Sequence, residues 1–168
     1  LDQKSNTSNG VNVIYREAPT VDVTAKSTLT GLTYNGSTQY GTQGVDVTSP
    51  LKNGDASAGL TGTALYAYDK SGVTDPKNAG TYQVKVSGLT SDLGYAIAYK
   101  TGSLVIDKKE VTFAAAKTYD GNKNLSALQL TITTGVGSET LSSSGATIYS
   151  KDVADNNTNF VDAVTLVD

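Results

Sequence analysis

Apolar and polar residues alternate along most of this chain with a period of two. Residues 81–86 are the clearest stretch, because Tyr82, Val84 and Val86 fall on one face and polar residues on the other. Such alternation, with β-branched and aromatic residues on the apolar face, is typical of half-buried β-strands. The same pattern recurs at residues 11–15, 95–99, 128–132 and 161–167.

The alternation predicts a mainly β chain with little helix. Short helices are expected only at residues 114–116, an alanine triplet, and at residues 124–130. Turn-forming pairs separate the apolar runs, since Asn, Asp or Ser before Gly supplies the positive φ angles of tight turns. We therefore expect tandem small β-sheet modules, each an immunoglobulin-like sandwich or a β-grasp-like sheet. The turn pairs are Asn35-Gly36, Asn53-Gly54, Ser71-Gly72 and Asp120-Gly121.

A short motif occurs twice and divides the chain. Tyr34-Asn35-Gly36 recurs 85 positions later (119 − 34) as Tyr119-Asp120-Gly121, and each copy follows a strand that ends in a charged connector. We expect each motif to form a tight turn whose tyrosine packs on the core; the alternative is a ligand-binding role for Asp120. A unit repeated at a fixed spacing indicates an array of similar modules. The predicted division is a last strand and linker of a preceding module at residues 1–17, a first module at 18–107 and a second, smaller or truncated module at 108–168.

Lys117 fits the strand pattern of the second module poorly. The alternation along residues 111–119 places Lys117 on the apolar face, at the position that Leu32 occupies in the first module. We expect its aliphatic stem to pack like the leucine while its ammonium reaches the edge of the module. Lys117 is also the lysine best placed for an intramolecular Lys–Asn isopeptide bond.

The composition limits the chemistry that the chain can perform. It contains no Cys, Met, His or Trp. Ser-His and Cys-His nucleophile pairs and the usual zinc or copper ligands are therefore excluded. The glutamates are Glu17, Glu110 and Glu139, and the sequence places no two of them in one cleft. We expect no enzyme, and a carboxylate-based glycan-active enzyme is the least favoured alternative.

The charge balance argues against nucleic acid as a partner. The formal net charge is −3 and Arg16 is the single arginine, whereas phosphate recognition relies on clusters of lysine and arginine. No apolar run approaches the ~18 residues of a membrane-spanning helix, so we expect no membrane insertion.

Five short motifs follow one another in a fixed order. Gly80-Thr81-Tyr82, Ser87-Gly88-Leu89-Thr90, Tyr95-Ala96-Ile97-Ala98-Tyr99 and Gly102-Ser103-Leu104-Val105-Ile106 end the first module, and Tyr119-Asp120-Gly121 opens the second. This order resembles the MBG and YDG repeat modules of filamentous-haemagglutinin-like, two-partner-secretion adhesins. The resemblance covers residues 11–168.

The resemblance implies a secreted repeat segment of a long adhesin fibre at the outer-membrane surface of a Gram-negative bacterium. It implies neighbouring repeat modules of the same polypeptide as partners and no known ligand. We predict a stalk or spacer that also contributes to adhesion or to binding of the biofilm matrix. The alternative is a module that binds a host glycan, a matrix protein or a polysaccharide.

An acidic, amide-rich stretch near the C-terminal end is a candidate metal site. Asp152, Asp155 and Asn157 offer the oxygen ligands that calcium prefers. Their spacing fits no standard calcium loop, so a solvated loop is the alternative. Calcium is the one cofactor that the sequence suggests.

Three tyrosines are candidate ligand-binding residues. Tyr66, Tyr68 and Tyr40 could stack on sugar rings, because tyrosine combines an apolar ring with a polar tip. Tyr66 and Tyr68 share strand parity, so core or cross-strand packing is the alternative. The lack of tryptophan weakens the interpretation as a lectin.

Overall fold

The computed structural model describes residues 7–8, 11–12, 18–26 and 31–167. In this part of the chain the structure is mainly β, which confirms the predicted fold class, and its two helices are single 3-10 turns, Ala127–Gln129 and Val153–Asp155. Neither helix is long and apolar enough to cross a membrane. The strands are β1 (Thr7–Ser8), β2 (Val11–Asn12), β3 (Thr20–Ala25), β4 (Leu32–Thr33), β5 (Val45–Val47), β6 (Leu60–Asp69), β7 (Gly80–Ser91), β8 (Ala96–Tyr99), β9 (Gly102–Asp107), β10 (Thr112–Ala115), β11 (Asn124–Leu125), β12 (Leu130–Thr133), β13 (Ser142–Ile148) and β14 (Val161–Val167).

The predicted strands agree with the structure where the alternation is clearest. Residues 81–86 lie within β7, and residues 161–167 coincide with β14. Of the predicted strand at residues 11–15, Val11–Asn12 form β2, which pairs with β1, and residues 13–15 lie outside the described part. Most of the predicted linker at residues 1–17 lies outside it as well.

The two predicted helices have different outcomes. The alanine triplet is not helical, because Thr112–Ala115 form β10 and pair with β12, Phe113 lying opposite Ile132. Cross-strand hydrogen bonding thus overrides the helix propensity of alanine. Residues 124–130 do contain a short helix, the 3-10 turn Ala127–Gln129. Ser126 and Gln129 form a capping box around that turn.

The chain divides into two compact units. Among the described residues, the first unit comprises those up to Leu32 together with Thr38–Ile106, and the second comprises Thr33–Ser37 and the residues from Asp107 onward. Thr33–Ser37 therefore belongs to the second unit, although the motif repeat assigned it to the first module. In the second unit the Tyr34 hydroxyl donates a hydrogen bond to Glu139. Gly36 packs close to Val136, whose Cγ1 would lie 2.9 Å from a Cβ at that glycine.

Besides the β1–β2 pair, two larger sheets form the first unit. Four strands are arranged in the order β4, β9, β7, β6, and three in the order β5, β3, β8. The β6–β7 and β7–β9 pairs are antiparallel, whereas β3 and β8 run parallel. The arrangement makes β6 one of the two outer strands of the larger sheet, the other being the two-residue β4.

The core of the first unit lies between these sheets. Val21 and Val23 of β3 are fully buried, and Leu60 of β6 and Leu89 of β7 pack against their cluster. The alternating face of β7 is buried as predicted, as are Leu104 and Ile106 of the adjacent strand β9. Because these side chains are apolar, their removal from water is the main stabilising contribution, ~1.5–3 kcal/mol for each fully buried one before conformational entropy. The buried β7 residues are Tyr82, Val84 and Val86.

The turn-forming pairs adopt two different geometries. Ser71-Gly72 and Asn53-Gly54 have positive φ at both residues, and Ser71-Gly72 closes the tight hairpin in which Lys70 pairs with Val73. The repeated motif is different, because only its glycines, Gly36 and Gly121, have positive φ, both 77°. The prediction that Asn and Asp of the motif also adopt positive φ is wrong.

The two motif copies nevertheless share one local structure. Asn35 Oδ1 accepts a hydrogen bond from the Ser37 backbone N–H at 2.9 Å, and Asp120 Oδ1 accepts one from the Asn122 N–H at 3.1 Å. Both are Asx turns, in which the side chain replaces a backbone carbonyl. The expected anchoring of the turn by its tyrosine is wrong for Tyr119, whose side chain is 64% exposed.

The second unit has a smaller core. β10 pairs with β12, and β11, β13 and β14 form a three-stranded sheet in the order β11, β13, β14. Several large apolar side chains stay exposed, among them Leu128, so apolar burial contributes less here than in the first unit. The buried cluster consists of Leu125, Leu130 and Ala146, with Ile132, Ile148, Val161 and Val164 packed against it.

The burial pattern predicts a large difference between two identical substitutions in the first unit. Leu104→Ala removes a side chain that is 0% exposed, and we expect a loss of about 2–5 kcal/mol in the free energy of unfolding. Leu65→Ala is the matched control, since Leu65 is 60% exposed, and should change that free energy by less than about 0.5 kcal/mol. Urea denaturation followed by NMR signals of the first unit measures both, and equal costs would contradict the assigned core.

Candidate functional site

The three candidate tyrosines converge on one cavity in the first unit. Tyr66 and Tyr68 lie two residues apart on β6, an outer strand of the larger sheet, and therefore on the same face. Tyr40 lies in the connection between β4 and β5 and brings its ring to a centroid distance of 5.2 Å from that of Tyr68. The resulting cavity of about 390 Å³, here called the tyrosine site, is lined by Tyr40, Gln43, Tyr66, Ala67, Tyr68 and Thr74.

Tyr68 is the fixed part of the tyrosine site. Its side chain is only 5% exposed, so the expectation of packing in the core is confirmed for this residue. Its hydroxyl donates to the backbone carbonyl of Tyr40 at 3.3 Å and accepts from Gln43 Nε2 at 3.1 Å. These two bonds tie the 40–43 segment to β6 and leave Tyr68 as a wall of the cavity.

Tyr40 and Tyr66 are the accessible members. Tyr40 is 48% exposed, and Tyr66 is half-buried. Partial burial, followed by the neighbouring Tyr68, raises the pKa of Tyr66 above its ordinary value. Both causes disfavour the phenolate, so the Tyr66 hydroxyl stays protonated and able to donate a hydrogen bond at neutral pH.

Gln43 and Thr74 belong to the site but carry no sequence signal that singles them out. Gln43 lies three residues after Tyr40, and Thr74 directly follows the Ser71-Gly72 hairpin and Val73. Their position depends on the path of two loops. The turn pair at Ser71-Gly72 indicates where the chain reverses, and this is the one hint that Thr74 returns toward β6.

The calcium candidates do not form a cluster of acidic side chains. Asp152 is the N-cap residue of the 3-10 helix Val153–Asp155, Asp155 is its last residue, and Asn157 lies two residues after its end. Within the described residues, no three His, Cys, Asp or Glu side chains are grouped so as to hold a metal ion. Calcium binding by Asp152, Asp155 and Asn157 stays a prediction without support from acidic clustering.

Lys117 is held inside the loop that contains the second motif copy. Its side chain is 7% exposed, and Nζ lies 2.8 Å from Asp120 Oδ1. The ammonium also donates to the backbone O and the Oδ1 of Asn122, both at 2.8 Å, and to the backbone O of Asn124 at 2.7 Å. The stem is buried as expected, and the ammonium lies among exposed residues of that loop. The loop binds it as a cation.

This arrangement disfavours an isopeptide bond between Lys117 and Asn122. The hydrogen bond from Lys117, together with the backbone N–H of Asn122, lowers the pKa of Asp120 below its ordinary value. Asp120 therefore stays ionised at neutral pH, and its carboxylate is the ion-pair partner of Lys117 Nζ. The chemistry that the geometry supports is an ion pair that fixes the loop.

Lys117→Met should destabilise the second unit while preserving much of the packed stem. It removes the charge-assisted hydrogen bonds to Asp120, Asn122 and Asn124, and we expect the urea midpoint of the second unit to fall. Lys151→Met, an exposed lysine of the same unit, is the control and should cost less than about 0.5 kcal/mol. Urea denaturation followed by NMR signals of Leu125 and Ala146 measures both; equal effects would contradict the cation-binding loop.

The same ion pair has a pH dependence of defined sign. Because the folded-state pKa of Asp120 is lowered, its contribution to stability is complete above the ordinary aspartate pKa of about 3.9. It is lost as the pH falls through the lowered value, where Asp120 becomes protonated. An NMR titration of the Asp120 carboxyl should show its pKa moving back up in Lys117→Met, and an unchanged value would contradict the assigned cause.

Comparisons with known proteins do not add to this geometry. No protein-family model, no curated protein and no solved structure matches the chain. The resemblance to MBG and YDG modules therefore stays a prediction from the motifs.

Proposed function

We propose that this chain is a β-rich segment of a secreted bacterial adhesin and that its first unit binds carbohydrate at the tyrosine site. One observation supports the binding role above all: Tyr40, Tyr66 and Tyr68, which are separated in sequence, line a single cavity. The extracellular and adhesive setting is supported by the motif resemblance and by a chain without cysteine.

The lining of the tyrosine site favours an uncharged, hydroxyl-rich ligand. Its residues are three tyrosines, a glutamine, a threonine and an alanine, and none of them carries a charge at neutral pH. Exposed tyrosine rings offer apolar faces to the C–H faces of a sugar, while phenol and amide groups exchange hydrogen bonds with its hydroxyls. The cavity volume of about 390 Å³ falls within the ~300–1,000 Å³ usual for small-molecule sites.

A spacer role is the complementary proposal. Each unit has its own buried cluster, and both motif copies form the same Asx turn. Units that carry their own cores are suited to repetition along a fibre. Single-molecule stretching of the chain should then give two separate unfolding events; a single cooperative event would contradict this role.

Tyr40→Ala should raise the dissociation constant for carbohydrate at the tyrosine site about tenfold, which corresponds to about 1.4 kcal/mol. The physical reason is the loss of the exposed ring that would stack on the sugar, whereas Tyr40→Phe keeps the ring and should retain most of the affinity. A glycan array identifies the ligand, and titration calorimetry with that ligand measures the dissociation constants.

Tyr149→Ala is the matched control for this experiment. Tyr149 is an exposed tyrosine of the second unit and lines no part of the tyrosine site, so its removal should leave the affinity of that site unchanged. Saturable shifts of the Gln43 and Thr74 amide signals that survive Tyr40→Ala, or the lack of any saturable shift of these signals in the folded chain, would refute carbohydrate binding at the tyrosine site.

A further inference from the structure

The second unit contains a cavity larger than the tyrosine site, and its lining as a set was not predicted from the sequence. Its volume is about 620 Å³, within the usual range of ligand sites. Leu125, Ile148 and Val161 contribute apolar lining from β11, β13 and β14. The cavity therefore lies at an open end of the small core of this unit, and we call it the second-unit cavity.

Three aromatic side chains line the second-unit cavity. Phe113 belongs to β10, Tyr119 to the second motif copy, and Phe160 immediately precedes β14. Their side chains are 38%, 64% and 54% exposed. Phe160 also stacks on Tyr149, with a centroid distance of 4.9 Å and an interplanar angle of 16°. This stack fixes the orientation of the Phe160 ring before any ligand binds, which lowers the entropic cost of binding.

The charges of the cavity cancel. Two cations, Lys117 and Lys151, and two anions, Asp120 and Asp152, line it. Lys117 and Asp120 form the ion pair described above. A lining with zero formal charge gives no electrostatic advantage to an anionic or a cationic ligand. It does offer carboxylate oxygens as hydrogen-bond acceptors beside the amide of Asn156.

We propose that the second-unit cavity is a second carbohydrate site, which binds a neutral oligosaccharide. Tyr119 and Phe160 provide the rings for stacking, and Asp152 and Asn156 exchange hydrogen bonds with sugar hydroxyls. Lys117 is a positioning residue, because it holds Asp120 and hence the loop that carries Tyr119. This inference is independent of the tyrosine site, since the two cavities have no lining residue in common.

A ligand site at this cavity also accounts for two observations that a spacer role does not explain. Tyr119 is exposed although its motif repeats that of Tyr34, and Asp152 lines the cavity although no acidic cluster surrounds it. The Tyr119 ring can pack on the C–H groups of a sugar, and the Asp152 carboxylate can accept hydrogen bonds from its hydroxyls.

NMR titration of the full 168-residue chain tests this site. The probes are neutral tetrasaccharides of glucose, galactose, mannose or N-acetylglucosamine, with tetragalacturonate as the anionic control. They are added up to about 10 mM, which is tenfold above a dissociation constant of about 1 mM. We expect at least one neutral probe to shift the backbone amide signals of residues 119–122 and 151–160, and the anionic probe to leave them unchanged.

Tyr119→Ala and Tyr40→Ala distinguish binding at the second-unit cavity from binding at the tyrosine site. Tyr119→Ala should raise the dissociation constant at the second-unit cavity about tenfold, or about 1.4 kcal/mol, and leave signals of the tyrosine site responsive; Tyr40→Ala should do the reverse. Asn156→Ala is the second variant for the cavity, in case Tyr119→Ala does not fold. Shifts confined to the second unit would refute the tyrosine site but support the cavity.

The inference is overturned by any of three results. The first is that no neutral probe shifts the second-unit signals of the folded chain. The second is that tetragalacturonate binds there as tightly as the neutral probes. The third is that folded variants lacking Tyr119 or Asn156 bind with the affinity of the unchanged chain. The first and third results would show that the cavity is an open end of the core and no more, and the second would show that it does not select neutral sugars.

Discussion

The buried face of β7 is the feature on which the first unit depends. Tyr82, Val84 and Val86 alternate along one strand, and pairing with β6 and β9 places that strand inside the larger sheet. The chain has no cysteine and hence no disulfide that could limit the unfolded state. The apolar contact between two sheets therefore has to offset the conformational entropy of the unit.

The same packing produces the tyrosine site. Tyr66 and Tyr68 lie opposite Val86 and Val84 across the β6–β7 ladder, so their rings point to the face that the core occupies. Because β6 is an outer strand, its core-facing side chains stand at the margin of the sheet, where a loop can cover them only in part. Tyr68 is covered, and Tyr66 and Tyr40 keep accessible surface. Core packing and the lining of the tyrosine site thus use the same face of β6.

The second unit relies more on polar contacts. Its buried cluster is small, and its motif loop is organised by the Lys117 ammonium between Asp120, Asn122 and Asn124. Charge-assisted hydrogen bonds of this kind are stronger than neutral ones and direct the loop geometry. With fewer apolar side chains to fill the space between its sheets, the unit is left with the cavity that Phe113, Tyr119 and Phe160 line.

Local sequence patterns are sufficient to predict the mainly β class, the parity of β7, the extent of β14 and the glycine turns, because these depend on neighbouring residues along the chain. They also select Tyr40, Tyr66 and Tyr68, by residue type and parity. Long-range contacts determine that these three meet at one cavity, that Thr33–Ser37 joins the second unit, that an alanine triplet enters a strand and that Lys117 is bound by the motif loop. Each of those outcomes depends on contacts between segments far apart in sequence, which a local pattern of polar and apolar positions does not specify.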